Sequence, residues 1–316
     1  MNSSRTRTHT LGRSPSLWPL LARGAVLSPF KRPRTGVTAP RTRLVLPGVR
    51  VDLGRLAAYE RACGFGVGAD ELPPTYPHVL GFPAAMRLMS GRTFPLPLLG
   101  LVHTSIGITQ HRALTTTGEY ELGVCVADLL PHRRGTEAVV VTEVRAGGEL
   151  VWESRSTYLA RHGTTTAEST TTTESTTTES TGERTAGVAE QAVAGRLRGQ
   201  AAAAELKPLP VLAEWHLAGD VGRRYGAASG DRNPIHLHPL TARMFGFPRT
   251  VAHGMWTVAR CLAERGTPQA ARIRAEFRAP VLLPGTVSYG ASSSRFELRG
   301  TDGGRLHLTG EVLPLA

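Results

Sequence analysis

The segment from Tyr225 to Met255 holds the densest group of side chains able to move protons. It opens Tyr-Gly-Ala-Ala-Ser-Gly-Asp-Arg-Asn-Pro-Ile-His-Leu-His-Pro and closes Thr-Val-Ala-His-Gly-Met. Asp231 stands five residues before His236, with Asn233-Pro234 between them. Proline fixes φ and asparagine bonds nearby backbone, so this turn can bring a carboxylate and an imidazole to one side of a loop. Such a pair suits general acid–base work through a shared water, where a partly apolar pocket tunes both pKa values. His253-Gly254 then opens an apolar helical segment. The N–H of Gly254, unpaired at the positive end of that helix, would face a carbonyl or enolate-like oxygen. The plainer alternative is a capped turn at Asp-x-Asn-Pro and a hydrogen-bonded structural histidine. Zinc is a poor reading, because no His-x-x-x-His or cysteine pair surrounds these residues. Ser229-Gly230 lacks the Gly-x-Ser-x-Gly elbow of a serine nucleophile.

The elements that must position this group follow from periodicity. Leu53–Phe65 reads as a helix, with Leu56, Tyr59 and Cys63 three and four apart. Val79–Met89 is strongly apolar and reads as a central buried helix, with Pro83 in its first turn. Strand-like runs follow at 101–108, 117–126, 137–144 and 150–159, with Gly147-Gly148 as a hairpin turn. After the chemistry-bearing segment come an apolar helix over 254–262 and strand-like runs at 273–281, 286–294 and 306–313.

Composition narrows the function classes. The formal charge is +12, but residues 1–50 carry ten basic and no acidic side chains, leaving +2 for the rest. A nucleic-acid domain keeps its basic face on its folded part, so nucleic acid is not an expected partner. The Pro/Arg/Ser-rich leader, residues 1–48, is expected to be a disordered basic tail. Pro19, Pro29, Pro33 and Pro40 would break the amphipathic helix of a transit peptide. Cytoplasmic residence in a bacterium is therefore the first expectation, with organelle targeting by the leader as the alternative. Cys63, Cys125 and Cys261 are odd in number and widely spaced, as small hydrophobes in a reducing compartment would be. No apolar run reaches the ~18 residues of a membrane span. Residues 163–204, Thr/Ser/Glu-rich and then Ala/Gly-rich, read as a solvated linker. It divides an N-terminal domain at 49–162 from a C-terminal one at 205–316.

The two parts share a plan. Tyr59-Glu-Arg-Ala-Cys-Gly-Phe65 aligns with Tyr225-Gly-Ala-Ala-Ser-Gly-Asp231, and Pro74-Thr-Tyr-Pro-His78 with Arg249-Thr-Val-Ala-His253. Phe65 stands where Asp231 does, and the Asn-Pro-Ile-His loop has no counterpart in the first part. One half keeps the polar group and the other is degenerate.

Ser-Gly-Asp-Arg-Asn-Pro-Ile-His at 229–236, with Gly246-Phe247 and Ala252-His-Gly-Met255, resembles the signature of the MaoC-like (R)-specific enoyl-CoA hydratases of the hotdog superfamily. The resemblance implies an α+β double hotdog, two curved antiparallel sheets each wrapped around a central helix. It implies that water is activated between Asp231 and His236 and added to a trans-2-enoyl thioester, or removed from a (3R)-hydroxyacyl thioester. The N–H of Gly254 would bind the thioester oxygen, and Asn233, His253 and Met255 would line the substrate. The implied partner is an acyl-CoA or acyl carrier protein substrate, with no cofactor and no metal; a homodimer is left open. His238 stands where the family commonly has an acid, which puts local loop bonding in doubt. No serine follows in the helix, where Arg260, Cys261 and Leu262 stand. A non-catalytic acyl-binding or assembly subunit and a hotdog thioesterase are the competing functions. Phe65, Phe82, Met86 and Met89 are expected in the core, with room for a long acyl tail in the degenerate half as the alternative, and Arg272, Arg274 and Arg278 as solvated charges rather than coenzyme ligands.

Overall fold

The computed structural model describes residues 6–31, 37–162, 207–301 and 304–315, so the linker expected at 163–204 lies outside the described residues. The chain opens with strand β1 (Arg7–Thr10) and helix α1 (Leu17–Leu27). The first half proper runs β2 (Thr42–Arg50), α2 (Leu53–Cys63), α3 (Tyr76–Met89), then β3 (Leu101–Gln110), β4 (Glu119–His132), β5 (Gly135–Ala146) and β6 (Glu149–Arg161). The second half repeats it. Strand β7 (Val211–Leu217) leads to α4 (Val221–Ser229), a short helix α5 (Pro239–Met244), strand β8 (Thr250–Val251) and α6 (Gly254–Arg265). Then follow β9 (Ala271–Phe277), β10 (Leu282–Leu283), β11 (Gly285–Ser292), β12 (Arg295–Gly300) and β13 (Leu306–Pro314).

Eleven strands form one sheet in the order β1-β2-β4-β5-β6-β3-β9-β13-β12-β11-β7. Read outward from the middle, β3, β6, β5, β4, β2 on one side match β9, β13, β12, β11, β7 on the other. The two half-sheets meet where β3 pairs antiparallel with β9, from Ser105 opposite Glu276 to Gln110 opposite Ala271. Helix α3 lies against β4 and β5, and α6 against β12 and β13. This is the wrapped-helix plan expected for both halves. Among the described residues no helix is long and apolar enough to cross a membrane.

Local chemistry explains the helix ends. Asp52 starts α2 by accepting the N–H of Arg55 at 3.0 Å, and left-handed Gly64 (φ 82°) stops it. Gly230 (φ 84°) stops α4 in the same way, at the position the repeat alignment pairs with Gly64. Helix α3 starts at Tyr76, three residues before the apolar run suggests, because Pro77 suits the first turn and Pro83 is carried in the interior. Trp152, fully buried, donates its indole N–H to the Pro74 carbonyl at 2.9 Å and fixes the approach to α3. Met86 and Met89 are buried, and Phe65 and Phe82 pack against the core. The three cysteines are free thiols, Cys63 and Cys261 buried.

The leader does not match the expectation of a disordered tail. In its described part β1 pairs in parallel with β2, and Leu17, Leu20 and Leu21 of α1 pack on the core. Gly24 lets α1 approach Leu98, where a Cβ would stand 2.2 Å from Cδ2. Lys31 then donates to the carbonyls of Met89 (3.3 Å) and Gly91 (2.9 Å) at the end of α3. The prolines and arginines suggest disorder only while these tertiary contacts are unknown.

The two halves are tied directly. Helices α2 and α4 pack together, with the rings of Tyr59 and Tyr225 5.8 Å apart. Arg55 of α2 donates to the carbonyls of Ala228 and Ser229, each at 2.8 Å, where the end of α4 leaves carbonyls unpaired. Trp256 of α6 donates to the Ala62 carbonyl at the end of α2, at 2.7 Å. Arg55→Met keeps the stem and removes both charged hydrogen bonds. It is expected to lower stability by about 2 kcal/mol, read as a drop in the thermal unfolding midpoint.

Candidate active site

Helix α4, the loop from Gly230 to His238 and the start of α6 converge on one place. Two glycines one turn apart on α4 allow it. A Cβ at Gly222 would stand 2.2 Å from the His236 carbonyl oxygen, and one at Gly226 would stand 2.8 Å from that of Asp231. The loop therefore lies directly on the helix backbone. Each glycine costs a helix about 1 kcal/mol relative to alanine, so a Gly-x-x-x-Gly in so short a helix is a sequence signal for this approach, and one that motif reading alone passes over.

The loop is held by its own side chains. The Asn233 N–H donates to Asp231 Oδ1 at 3.2 Å, and Asn233 Oδ1 accepts from Ile235 at 3.5 Å at the start of a single 3-10 turn, Pro234–His236. His238, where an acid was expected, accepts the Leu240 N–H on Nδ1 at 3.2 Å and caps α5. The imidazole thus supplies the bonding that an acid would.

His236 is buried and its Nδ1 lies 2.6 Å from the Val251 carbonyl. A carbonyl only accepts, so Nδ1 carries the proton and Nε2 keeps a free lone pair. His253 stacks on His236 with ring centroids 3.7 Å apart. Its Nε2–H donates to the Asp231 carbonyl at 2.9 Å. His253 is 2% exposed and Met255 is buried in the core beside it. The structure thus brings Asp231, His236 and His253 together, with Asn233 bonded within the loop and Met255 buried nearby. Asp231, His236 and His253 each offer a donor atom within 4.8 Å of the others, a spacing that suits an acid–base cluster bridged by water and also a cation.

Burial sets the proton affinities. Asp231 retains 29% side-chain exposure, and desolvation by the surrounding protein raises its carboxyl pKa, against the opposing pull of His236 and the Asn233 N–H. Burial lowers the pKa of His236, opposed by Asp231 and the Val251 carbonyl. Burial also lowers that of His253, with His236 adding to the effect. Burial thus shifts the carboxyl toward its protonated form and the imidazole beside it toward its neutral form.

Gly254 is the first residue of α6, with His253 as its N-cap, so its N–H has no intrahelical acceptor. A Cβ there would stand 2.9 Å from the ring of Phe277. Phe277, at the end of β9, is a site residue that sequence spacing did not disclose. Of the three arginines considered for coenzyme phosphates, Arg278 pairs with Glu276, and Arg272 and Arg274 are exposed on β9. An open cleft of about 520 Å³, lined by Arg223, Thr250 and Pro284 among others, lies outside the loop and includes neither Asp231 nor His236.

A family model described as MaoC like domain matches residues 207–301. The chain is similar to 3-hydroxyacyl-thioester dehydratase X of Mycobacterium tuberculosis, 33% identical over 286 residues that cover 89% of this chain and 91% of the relative. It is also similar to 3-hydroxyacyl-thioester dehydratase Y of that organism, 30% identical over 64% of this chain and 68% of the relative. Among solved structures, HtdX of Mycobacterium tuberculosis superposes with a TM-score of 0.68 at 30% identity, covering 86% of this chain and 100% of that one. A MaoC-like dehydratase from Phytophthora capsici, 16% identical with a TM-score of 0.63 over 88% of this chain and 95% of that one, shares the fold.

Because buried histidines are neutral in the folded protein and titrate freely when it unfolds, acid should destabilise it. His78 and His103 of the first half belong to this set, with burial holding them at about 4 and about 3. Below the unfolded value of about 6.5, the unfolded chain binds more protons, so stability present at neutral pH is lost as pH falls. The raised carboxyls of Asp231 and Glu60 act oppositely, against the lowered histidines His78, His103, His236, His253 and His307. The expected outcome is an unfolding midpoint that drops steadily from pH 7 to pH 5, with a shallower drop in His78→Leu.

Proposed function

The chain belongs to the family of MaoC-like double-hotdog dehydratases, and we propose on that premise that it interconverts 3-hydroxyacyl and trans-2-enoyl thioesters, with Asp231 and His236 as the acid–base pair. The observation that carries this reading is the Val251 carbonyl bond, which leaves His236 Nε2 unprotonated in one cluster with a carboxyl of raised pKa. In dehydration, Nε2 of His236 takes the proton from C2 of the substrate. Protonated Asp231 gives its proton to the C3 hydroxyl, the C–O bond breaks, the C2–C3 double bond forms and water leaves. The imidazolium and carboxylate that result are the starting pair for hydration, in which the carboxylate takes a proton from water and the imidazolium delivers one to C2. The N–H of Gly254, at the positive end of α6, is aimed at the thioester oxygen, where charge grows as the C2 proton leaves. Acid and base on one side of the loop favour syn chemistry, and the (3R) hydroxyl is what the family resemblance implies.

In this reading His253 positions rather than binds: its bond to the Asp231 carbonyl and its stack on His236 set the separation of the pair. Asn233 shapes the loop, and Met255 packs behind it. Coenzyme A and acyl carrier protein present the same thioester, and either serves this chemistry.

Purified protein is expected to hydrate crotonyl-CoA, seen as loss of the conjugated thioester absorbance without release of free thiol. A thioesterase would release thiol, and a non-catalytic acyl-binding subunit would do neither. Asp231→Asn and His236→Gln should each lower kcat by about 10²-fold or more with the unfolding transition intact. Wild-type-like turnover in both variants would end the dyad assignment. Chelator treatment separates the two readings of the three-residue cluster: an acid–base site keeps its turnover, and a metal site loses it.

A further inference from the structure

The inner face of the seam between the halves carries polar atoms that the proposed chemistry does not use. On β6, Ser154, Ser156 and Tyr158 alternate onto one face of the strand. His103 of β3 is paired across from Tyr158 and stacks on it with ring centroids 4.4 Å apart. On its other side His103 meets the ring of Phe277 at 4.8 Å. An aromatic row thus crosses β6, β3 and β9 from one half into the other. Its Phe277 end covers Gly254. At its Tyr158 end burial raises the phenol pKa, with the Asp231 charge adding to the effect. His78 of α3 lies near this row, its ring 6.1 Å from that of His103 and inclined by 15°.

Nδ1 of His78, Nε2 of His103 and Oγ of Ser154 are shielded from solvent, and no group among the described residues bonds them. His78 and Ser154 are 8% and 1% exposed. More than nine in ten buried polar groups in folded proteins are paired, and each orphan costs about 1–3 kcal/mol. Leucine or phenylalanine would fill an ordinary core here without that cost. Two orphan imidazole nitrogens beside the site therefore point to a ligand group that completes them. Burial keeps both rings neutral, so each offers either a donor or an acceptor and neither offers a charge. That pairing suits a neutral oxygen and disfavours a carboxylate or a phosphate.

We propose that His78 and His103 form a subsite, on the first-half side of the seam, for a hydroxyl or ketone oxygen carried on the acyl chain beyond the reacting carbons. The proposal rests on the acyl-thioester reading above, and it gives the first half a part in selecting substrate. The residues considered for an acyl tail from sequence, Phe65, Phe82, Met86 and Met89, pack in or against the core, whereas the unpaired polar atoms lie on His78 and His103.

Saturated S-acyl-CoA thioesters, which cannot be dehydrated, test it by titration calorimetry. Pairs of equal chain length, with and without a hydroxyl at successive positions from C4 outward, are compared on the full-length protein. The expected result is one hydroxyl position that binds about tenfold tighter than the plain chain, or 1.4 kcal/mol. This preference should vanish in His103→Phe and in His78→Leu, and should persist in part in His103→Gln, whose amide still bonds. Equal affinity at every position overturns the subsite, as does a preference that survives both apolar variants. Should the apolar variants fail to fold, the wild-type comparison and His103→Gln still decide it. Crotonyl-CoA turnover, run in parallel, reports on the reaction alone. Intact turnover without a hydroxyl preference sinks the subsite, and a hydroxyl preference without turnover sinks the proposed reaction.

Discussion

Six residue pairs, from Ser105 opposite Glu276 to Gln110 opposite Ala271, hydrogen-bond β3 to β9 and so close the open edge of each half-sheet. An unpaired edge exposes a row of N–H and C=O groups that recruits another strand, and here the recruited strand comes from the repeat itself. Pairing the halves in this way sets α2 beside α4 and puts the end of α2 within reach of α6. The guanidinium of Arg55 on the last carbonyls of α4 and the indole of Trp256 on the Ala62 carbonyl follow from that placement. The first half has lost the polar loop, yet it still caps and braces the helix on which the polar loop of the second half lies.

Within the loop, close approach and proton affinity have one origin. Gly222 and Gly226 let the carbonyls of His236 and Asp231 settle against α4, which withdraws both side chains from bulk water. Desolvation then moves the carboxyl up and the imidazole down, the directions in which one can hold a proton while the other accepts one. Backbone carbonyls complete the arrangement by fixing tautomers: Val251 for His236, and Asp231 for His253. Side chains alone would leave the orientation of the two rings undecided.

The leader illustrates a different dependence. Leu17 of α1 reaches Gly230, where a Cβ would stand 2.6 Å from its Cδ1. A segment rich in arginine and proline thereby becomes part of the support for the residue next to Asp231. Its apolar positions are few and have no value until a partner surface exists, which is why composition alone placed it outside the fold.

Much was legible from residue order. Helices α2 and α6 and the strands β3 to β6, β9, β11 and β13 follow from periodicity and from glycine and proline punctuation, because each depends on short-range patterning. The repeat was legible because Tyr59 and Gly64 recur as Tyr225 and Gly230. The motif around Asp231, His236 and Gly254 was legible because its residue types and spacing are unusual. The tertiary structure alone decided the rest. It folded the described part of the leader, set His253 against the Asp231 carbonyl and the His236 ring, and brought Phe277, His103, Tyr158 and His78 together from elements remote in sequence. Local pattern records which face of a strand is buried. It does not record what stands across a seam, because that depends on how two half-sheets join, and only there do orphan imidazole nitrogens acquire meaning.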